Sequence, residues 1–291
     1  MKLRDYLKKL KKIEFHTRSR SHEAISGMYH SAFKGRGMTF SECKPYEDGD
    51  DVRYIDWHAS ARQQGIFVKQ CIEERELSVC IILDLSRTMR FGSIGRTKAE
   101  TAIEAMSVIA FSALQNNDKV SLILYDNSGM KFIPQVRGVS NVVRLIIEAL
   151  KFEGNLGENR LEHVLDKTMS LMKRRCLIFI ISDFIQSDYP RPLQHLSHRH
   201  EVIPVVVSDP MEHIMPDLGL IALEDSLGNH RQIVDTGNRH FQAEYQANYE
   251  KRLLEQKTTF ERAGISCVRI STDEDVLKPM MISFEKRASH V

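Results

Sequence analysis

The chain has 291 residues, a formal net charge of +2, 42% hydrophobic and 27% charged side chains. This length accommodates one large globular domain with an appendage, and the near-neutral balance excludes nucleic-acid binding driven by bulk charge. No apolar run approaches the roughly 20 residues of a membrane span. The basic start also lacks the apolar core of a secretory signal.

Residues 1–15 place Leu3, Leu7, Leu10 and Ile13 on one helical face with lysines around the rest, which predicts a basic amphipathic helix. Eight Lys/Arg lie within residues 1–20, against Asp5 and Glu14. Such a helix docks on the body with its lysines solvated, or meets an acidic partner or an anionic membrane surface. Residues 16–40 are polar, carry Gly27, Gly35 and Gly37, and are expected to be irregular. Asp48-Gly49-Asp50 signals a turn without the ligand spacing of a calcium loop. The lone tryptophan, Trp57, stands among Arg53, Asp56 and Arg62, and is expected to pack as a plug while the charges pair. Residues 67–72 alternate like an edge strand.

The run 79–83 is short, apolar and rich in β-branched residues, as in a strand buried on both faces of a parallel sheet. It ends in Asp84, Ser86 and Thr88, in a loop at the carboxyl end of the strand, where open α/β sheets bind ligands. Gly92 and Gly95 open the loop without forming a phosphate-binding P-loop. A helix follows over 97–114, burying Ala102, Ala105, Met106, Ile109 and Ala110. Next come a strand at 120–124 and a hairpin partner at 131–136, which Pro134 marks as an edge. Helices are expected over 141–150 and 161–172, around a turn-rich loop at 153–160.

Residues 176–181 repeat the central pattern and end in Ser182 and Asp183. After a short helix at 190–196 comes a strand at 202–207, then a hairpin of 218–223 with 231–234. A long amphipathic helix over 238–263, a strand at 265–270 and a helix over 273–283 complete the chain. His195, His198 and His200 read as solvated basic surface, and Met280 and Met281 as packing. The five cysteines are far apart with no CxxC pair, which predicts reduced thiols in a cytoplasmic protein. Alternating strands and helices predict a doubly wound, mostly parallel α/β sheet over 77–291, with 1–76 as an N-terminal extension. The expected strand order is hairpin strand, second, first, fourth, fifth, sixth, which puts the strands ending in Asp84 and Asp183 side by side.

Two carboxylates and two hydroxyls at one sheet edge make a hard-oxygen site suited to Mg²⁺ or Mn²⁺. Aspartyl-phosphatase chemistry would want a second Asp where Ser86 stands, and no Gly-x-Ser-x-Gly elbow surrounds Ser86 or Ser182. A metal-dependent phosphohydrolase and a metal-free scaffold therefore stand as alternatives to a binding module.

The run Tyr46…Gly49-Asp50-Asp51-x-Arg53-x-Ile55-Asp56-Trp57…Ala61-Arg62, followed by Glu74-Arg75 and Asp84-x-Ser86, resembles the bacterial domain-of-unknown-function-58 family. Those proteins carry a von Willebrand factor A-like domain. The resemblance implies a metal-ion-dependent adhesion site, in which a partner's acidic residue completes the coordination of Mg²⁺. Asp84 and Ser86 match that motif, Thr88 stands where a second Ser is usual, and Asp183 matches the later Asp. The family's loop threonine is missing; Asn159 is nearest to its place and Asn155 is the other candidate. The resemblance further implies a non-enzymatic partnership with a MoxR-type AAA+ ATPase, acting in maturation or activation of protein complexes.

Overall fold

The computed structural model describes residues 27–29, 31–33, 39–47, 49–63, 65–72, 77–152, 160–186, 188–224 and 231–289. The basic segment 1–15, Asp48, Glu74-Arg75, Asn155 and Asn159 lie outside them. The chain divides into two compact units, Phe33–Leu77 and the remainder.

In the smaller unit, β1 (Thr39–Pro45) pairs antiparallel with β2 (Phe67–Ile72), as the alternating pattern of the second predicts. Between them lie a single 3₁₀ turn, Val52–Tyr54, and the short helix α1 (Trp57–Gln63). Gly49 has φ +115°, a left-handed conformation that only glycine adopts without strain.

The larger unit opens with β3 (Ser78–Asp84), followed by a 3₁₀ turn, Arg87–Arg90, and α2 (Lys98–Gln115). Then come β4 (Lys119–Tyr125), β5 (Met130–Val136), α3 (Val139–Lys151), α4 (Leu161–Leu171) and β6 (Leu177–Ser182). They are followed by α5 (Pro190–Arg199), β7 (Glu201–Ser208), α6 (Pro210–His213) and the hairpin β8 (Leu220–Glu224) with β9 (Arg231–Asp235). The chain closes with α7 (Arg239–Arg262), β10 (Val268–Ser271) and α8 (Leu277–Ala288).

The central sheet has the order β10-β7-β6-β3-β4-β5, parallel throughout except for antiparallel β5 at one edge. This is the expected order, with Pro134 on the edge strand. Val79, Cys80, Ile81, Ile82 and Leu83 are all 0% exposed, so the apolar run is covered on both faces. Each large side chain there contributes about 1.5–3 kcal/mol of burial. No helix among the described residues is long and apolar enough to cross a membrane.

Several expectations are corrected. Within 16–40, residues 27–29 and 31–32 are helical and Tyr29 is buried, its hydroxyl donating to Asp118 Oδ2 at 3.1 Å. The last strand starts at Val268, after a turn at Gly264 with φ +67°. The last helix starts at Leu277, because Asp275 Oδ1 accepts its N–H at 3.0 Å and fixes the start there. Helix α7 buries only Gln256 and Phe260, so its apolar stripe is shorter than an amphipathic helix of that length implies.

Candidate functional site

The parallel strands β3, β6 and β7 deliver their carboxyl ends to one edge of the sheet. There Asp84, Ser182 and Asp183 meet, all buried. Asp84 Oδ1 accepts the Ser86 N–H at 2.9 Å, and Asp84 Oδ2 accepts the Ser182 hydroxyl at 2.6 Å. Burial, then the charge of Asp183, pushes the Asp84 carboxyl up to about 6, against the opposing pull of its Ser182 and Ser86 hydrogen bonds. The Tyr125 hydroxyl is buried without a hydrogen bond of normal geometry. Burial and the charge of Asp84 raise it well above the ordinary phenol value.

Ser86 Oγ and Thr88 Oγ1 lie 3.1 Å apart on the loop that follows. The loop is anchored by fully buried Met89 and by the Arg87 N–H donating to Asn127 Oδ1 at 3.2 Å. The 3.1 Å spacing matches the ~3 Å between adjacent oxygens of an octahedral ion with bonds of 2.0–2.1 Å. Asp84 also keeps lone pairs beyond its two hydrogen bonds. The donor set of Asp84, Ser86 and Thr88 therefore fits a hard divalent ion. Among the described residues no group of three or more His, Cys, Asp or Glu is placed to hold a metal, so an ion here depends on the hydroxyls.

Asp183 sits beside this set with its oxygens engaged. Its Oδ2 accepts from Lys98 Nζ at 2.8 Å, and its Oδ1 from the Ile185 N–H at 3.2 Å. Lys98 Nζ also donates to Glu212 Oε1 at 2.5 Å. Lys98 is fully buried at the first position of α2, where both desolvation and the helix dipole disfavour a cation. Burial lowers its pKa, but the charges of Asp183 and Glu212 and their hydrogen bonds outweigh that and leave it raised.

The reading of the strand ends overlooked Lys98 and Glu212. The sequence marks only the helix starts that carry them, through two capping boxes, Thr97-x-x-Glu100 and Asp209-x-x-Glu212, both formed in the structure. These start α2 beside Lys98 and hold Glu212 on α6. Asp209 further accepts the Ser93 N–H at 2.9 Å, the Ser93 hydroxyl at 2.5 Å and the Thr272 hydroxyl at 2.6 Å.

The residues of the long motif form their own cluster in the smaller unit. Tyr46 N–H donates to Ile66 O at 2.8 Å. Asp50 pairs with Lys44 at 2.9 Å, and Arg53 with Asp51 at 2.6 Å. Hydrogen bonds from Arg53 hold the Asp51 carboxyl down at about 2. Asp56 Oδ1 caps α1 through the N–H groups of His58 and Ala59. Of the charges expected to pair around Trp57, Arg53 does so, with Asp51, while Asp56 caps α1; the plug is corrected, since Trp57 is 69% exposed and Arg62 is also exposed. The turn and cap fix the backbone here, and the indole is left outside.

The histidines are also corrected. His195 and His198 are exposed, whereas His200 is buried, its Nδ1 3.3 Å from both the N–H and Sγ of Cys176. Burial, then Arg199 and Arg175, lowers the His200 pKa. Cys80, Cys176 and Cys267 are free thiols.

The family of proteins of unknown function DUF58 matches residues 42–254. Uncharacterized proteins of Mycobacterium tuberculosis and Mycobacterium bovis are each 27% identical over 221 residues, covering 75% of this chain and 69% of theirs. A conserved hypothetical protein, BatB, of Bacteroides thetaiotaomicron is similar at 17% identity with a TM-score of 0.46, over 73% of this chain and 99% of its own.

Proposed function

The chain belongs to the DUF58 family, and on that premise we propose that it is a non-enzymatic protein-binding module of the von Willebrand factor A type. The observation that carries this reading is the Asp84–Ser86–Thr88 set at the end of the central strand, with its hydroxyls 3.1 Å apart beside a buried carboxylate that forms no ion pair among the described residues. Bound there, Mg²⁺ or Mn²⁺ supplies an open coordination position for a partner's carboxylate. Asp84 balances the ion's charge, Ser86 and Thr88 present hydroxyl oxygens, and Ser182 orients Asp84 through its 2.6 Å hydrogen bond. The partner we propose is a MoxR-type AAA+ ATPase, with the pair acting in the cytoplasm on maturation or activation of protein complexes.

A second reading has one observation in its favour. Lys98 already neutralises Asp183, which suits a metal-free scaffold in which the ammonium takes the charge role of an ion. Thermal unfolding in EDTA and then in millimolar Mg²⁺ or Mn²⁺ separates the two. A ligand at about 100 times its dissociation constant stabilises by about 2.7 kcal/mol. The adhesion reading predicts a shift in the wild type that Asp84→Ala and Thr88→Ala both lose. No shift in the wild type at any concentration favours the scaffold. The partnership is tested by co-purification with a MoxR-type ATPase in Mg²⁺ and in EDTA, with Asp84→Ala expected to abolish it.

A further inference from the structure

The carboxyl edge of the sheet combines a polar lashing with an apolar outer face. Ser93 binds both oxygens of Asp209, at 2.9 and 2.5 Å, tying the loop after β3 to the loop after β7. Lys98 reaches Asp183 at 2.8 Å and Glu212 at 2.5 Å, tying in the loop after β6. The three loops thus form one platform around Asp84. Large apolar side chains stand out from each of them: Phe91 is 44% exposed, Ile94 53%, Ile185 38% and Ile214 63%. Single exposed apolar residues are ordinary, but their concentration on one braced edge marks a contact surface. The same rim carries Arg87, directly after Ser86. The Asp188 carboxylate on the loop after β6 is paired with Arg160.

We infer that this edge docks a protein segment presenting a carboxylate flanked by large apolar side chains. The carboxylate meets the Ser86–Thr88 hydroxyls and the charge of Arg87, while Phe91, Ile94, Ile185 and Ile214 cover the flanking side chains. Phe91 and Ile94 set the preference for apolar flanks, because they stand three and six residues after Thr88 on the same loop. The acidic half of this specificity rests on the adhesion-site reading above; the apolar half rests on the exposed side chains alone.

The test is a random-peptide phage library panned on the immobilised full chain in millimolar Mg²⁺. The expected consensus is Asp or Glu within a few positions of Leu, Ile, Phe or Trp. A synthetic consensus peptide, followed by fluorescence polarisation, should bind Phe91→Ser and Ile94→Ser at least about tenfold more weakly than wild type. Leu254→Ser, at an exposed apolar site on α7, should bind as wild type. Unchanged far-UV circular dichroism confirms that the variants fold. No enrichment, a consensus without an acid, or binding unchanged in Phe91→Ser and Ile94→Ser overturns the inference. An EDTA arm separates it from the reading it builds on. Binding that survives EDTA but falls in the serine variants keeps this surface and overturns the role of the metal. Binding lost in EDTA but intact in the serine variants does the reverse.

Discussion

Replacing Lys98 by Met removes the ammonium that two acids share while nearly keeping the side-chain volume. Lys98 is 1% exposed, Asp183 4% and Glu212 17%, measured on the side chains, so little water is at hand to replace the lost partner. Removing one member of a buried ion pair costs about 3–5 kcal/mol, because the remaining charge stays buried without compensation. Relief of a cation at the amino end of α2 returns about 0.3–1 kcal/mol. The net loss is then about 3 kcal/mol, or roughly 6–12 °C in melting temperature for a domain of this size. Urea unfolding followed by circular dichroism measures it, in EDTA so that no added ion enters. The double variant Lys98→Met/Asp183→Asn should recover part of the loss, because Asp183 then needs no cation while Glu212 still lacks its own. Lys98→Met within about 1 kcal/mol of wild type, or single effects that simply add in the double variant, would refute the account of Lys98 as the site's internal counter-charge.

Asp84 gives a pH prediction of defined sign. Its carboxyl is raised to about 6 by burial and by Asp183, so between about pH 4 and pH 6 the folded chain holds a proton that the unfolded chain releases. Stability from this group is therefore present at low pH and lost as pH rises through that window. In EDTA, Asp84→Asn should gain on wild type from about pH 4 to pH 7, by on the order of 2–3 kcal/mol; a difference flat with pH counts against it. Gly92→Ala would set a Cβ 2.2 Å from Arg96 O and 2.6 Å from Thr97 Cα, both backbone atoms. Urea unfolding should show a loss of about 1–3 kcal/mol, whereas Gly129→Ala, with nothing within 4 Å, should be near neutral. Tyr29→Phe keeps the edge-on contact with Phe284 at 6.0 Å but loses the donor to Asp118. It should lower stability by about 1–3 kcal/mol in the same assay.

The sheet was legible because its central strands are uninterrupted apolar runs that stop at polar residues, and the alternation with helices left few orders to choose from. Asp84, Ser86, Thr88 and Asp183 could be read for the same reason: each stands at or just beyond a strand end. Lys98 could not be read that way. A lysine in the first turn of a helix looks like solvated surface, and only the placement of Asp183 and Glu212, 85 and 114 residues away, reverses that. His200 was misread for a related reason, since its burial depends on Cys176 across the turn into β7 and not on its histidine neighbours. Trp57 shows the opposite failure. An aromatic among charges suggested packing, yet the capping by Asp56 and the Arg53–Asp51 pair need nothing from the indole.

The long reach of the site's contacts bears on how the protein is made. Within the central sheet the strand that ends in Asp84 is made first, but the Ser182 hydroxyl that orients this carboxylate is added 98 residues later. Lys98 waits 85 residues for its first acid and 114 for its second. A nascent chain that stops short of β6 therefore carries a lysine and a carboxylate destined for burial with neither of their partners yet made. Contacts of such separation close late and slow folding. Completion of this cluster thus coincides with completion of the sheet's centre, and a truncated product cannot display the docking edge in finished form.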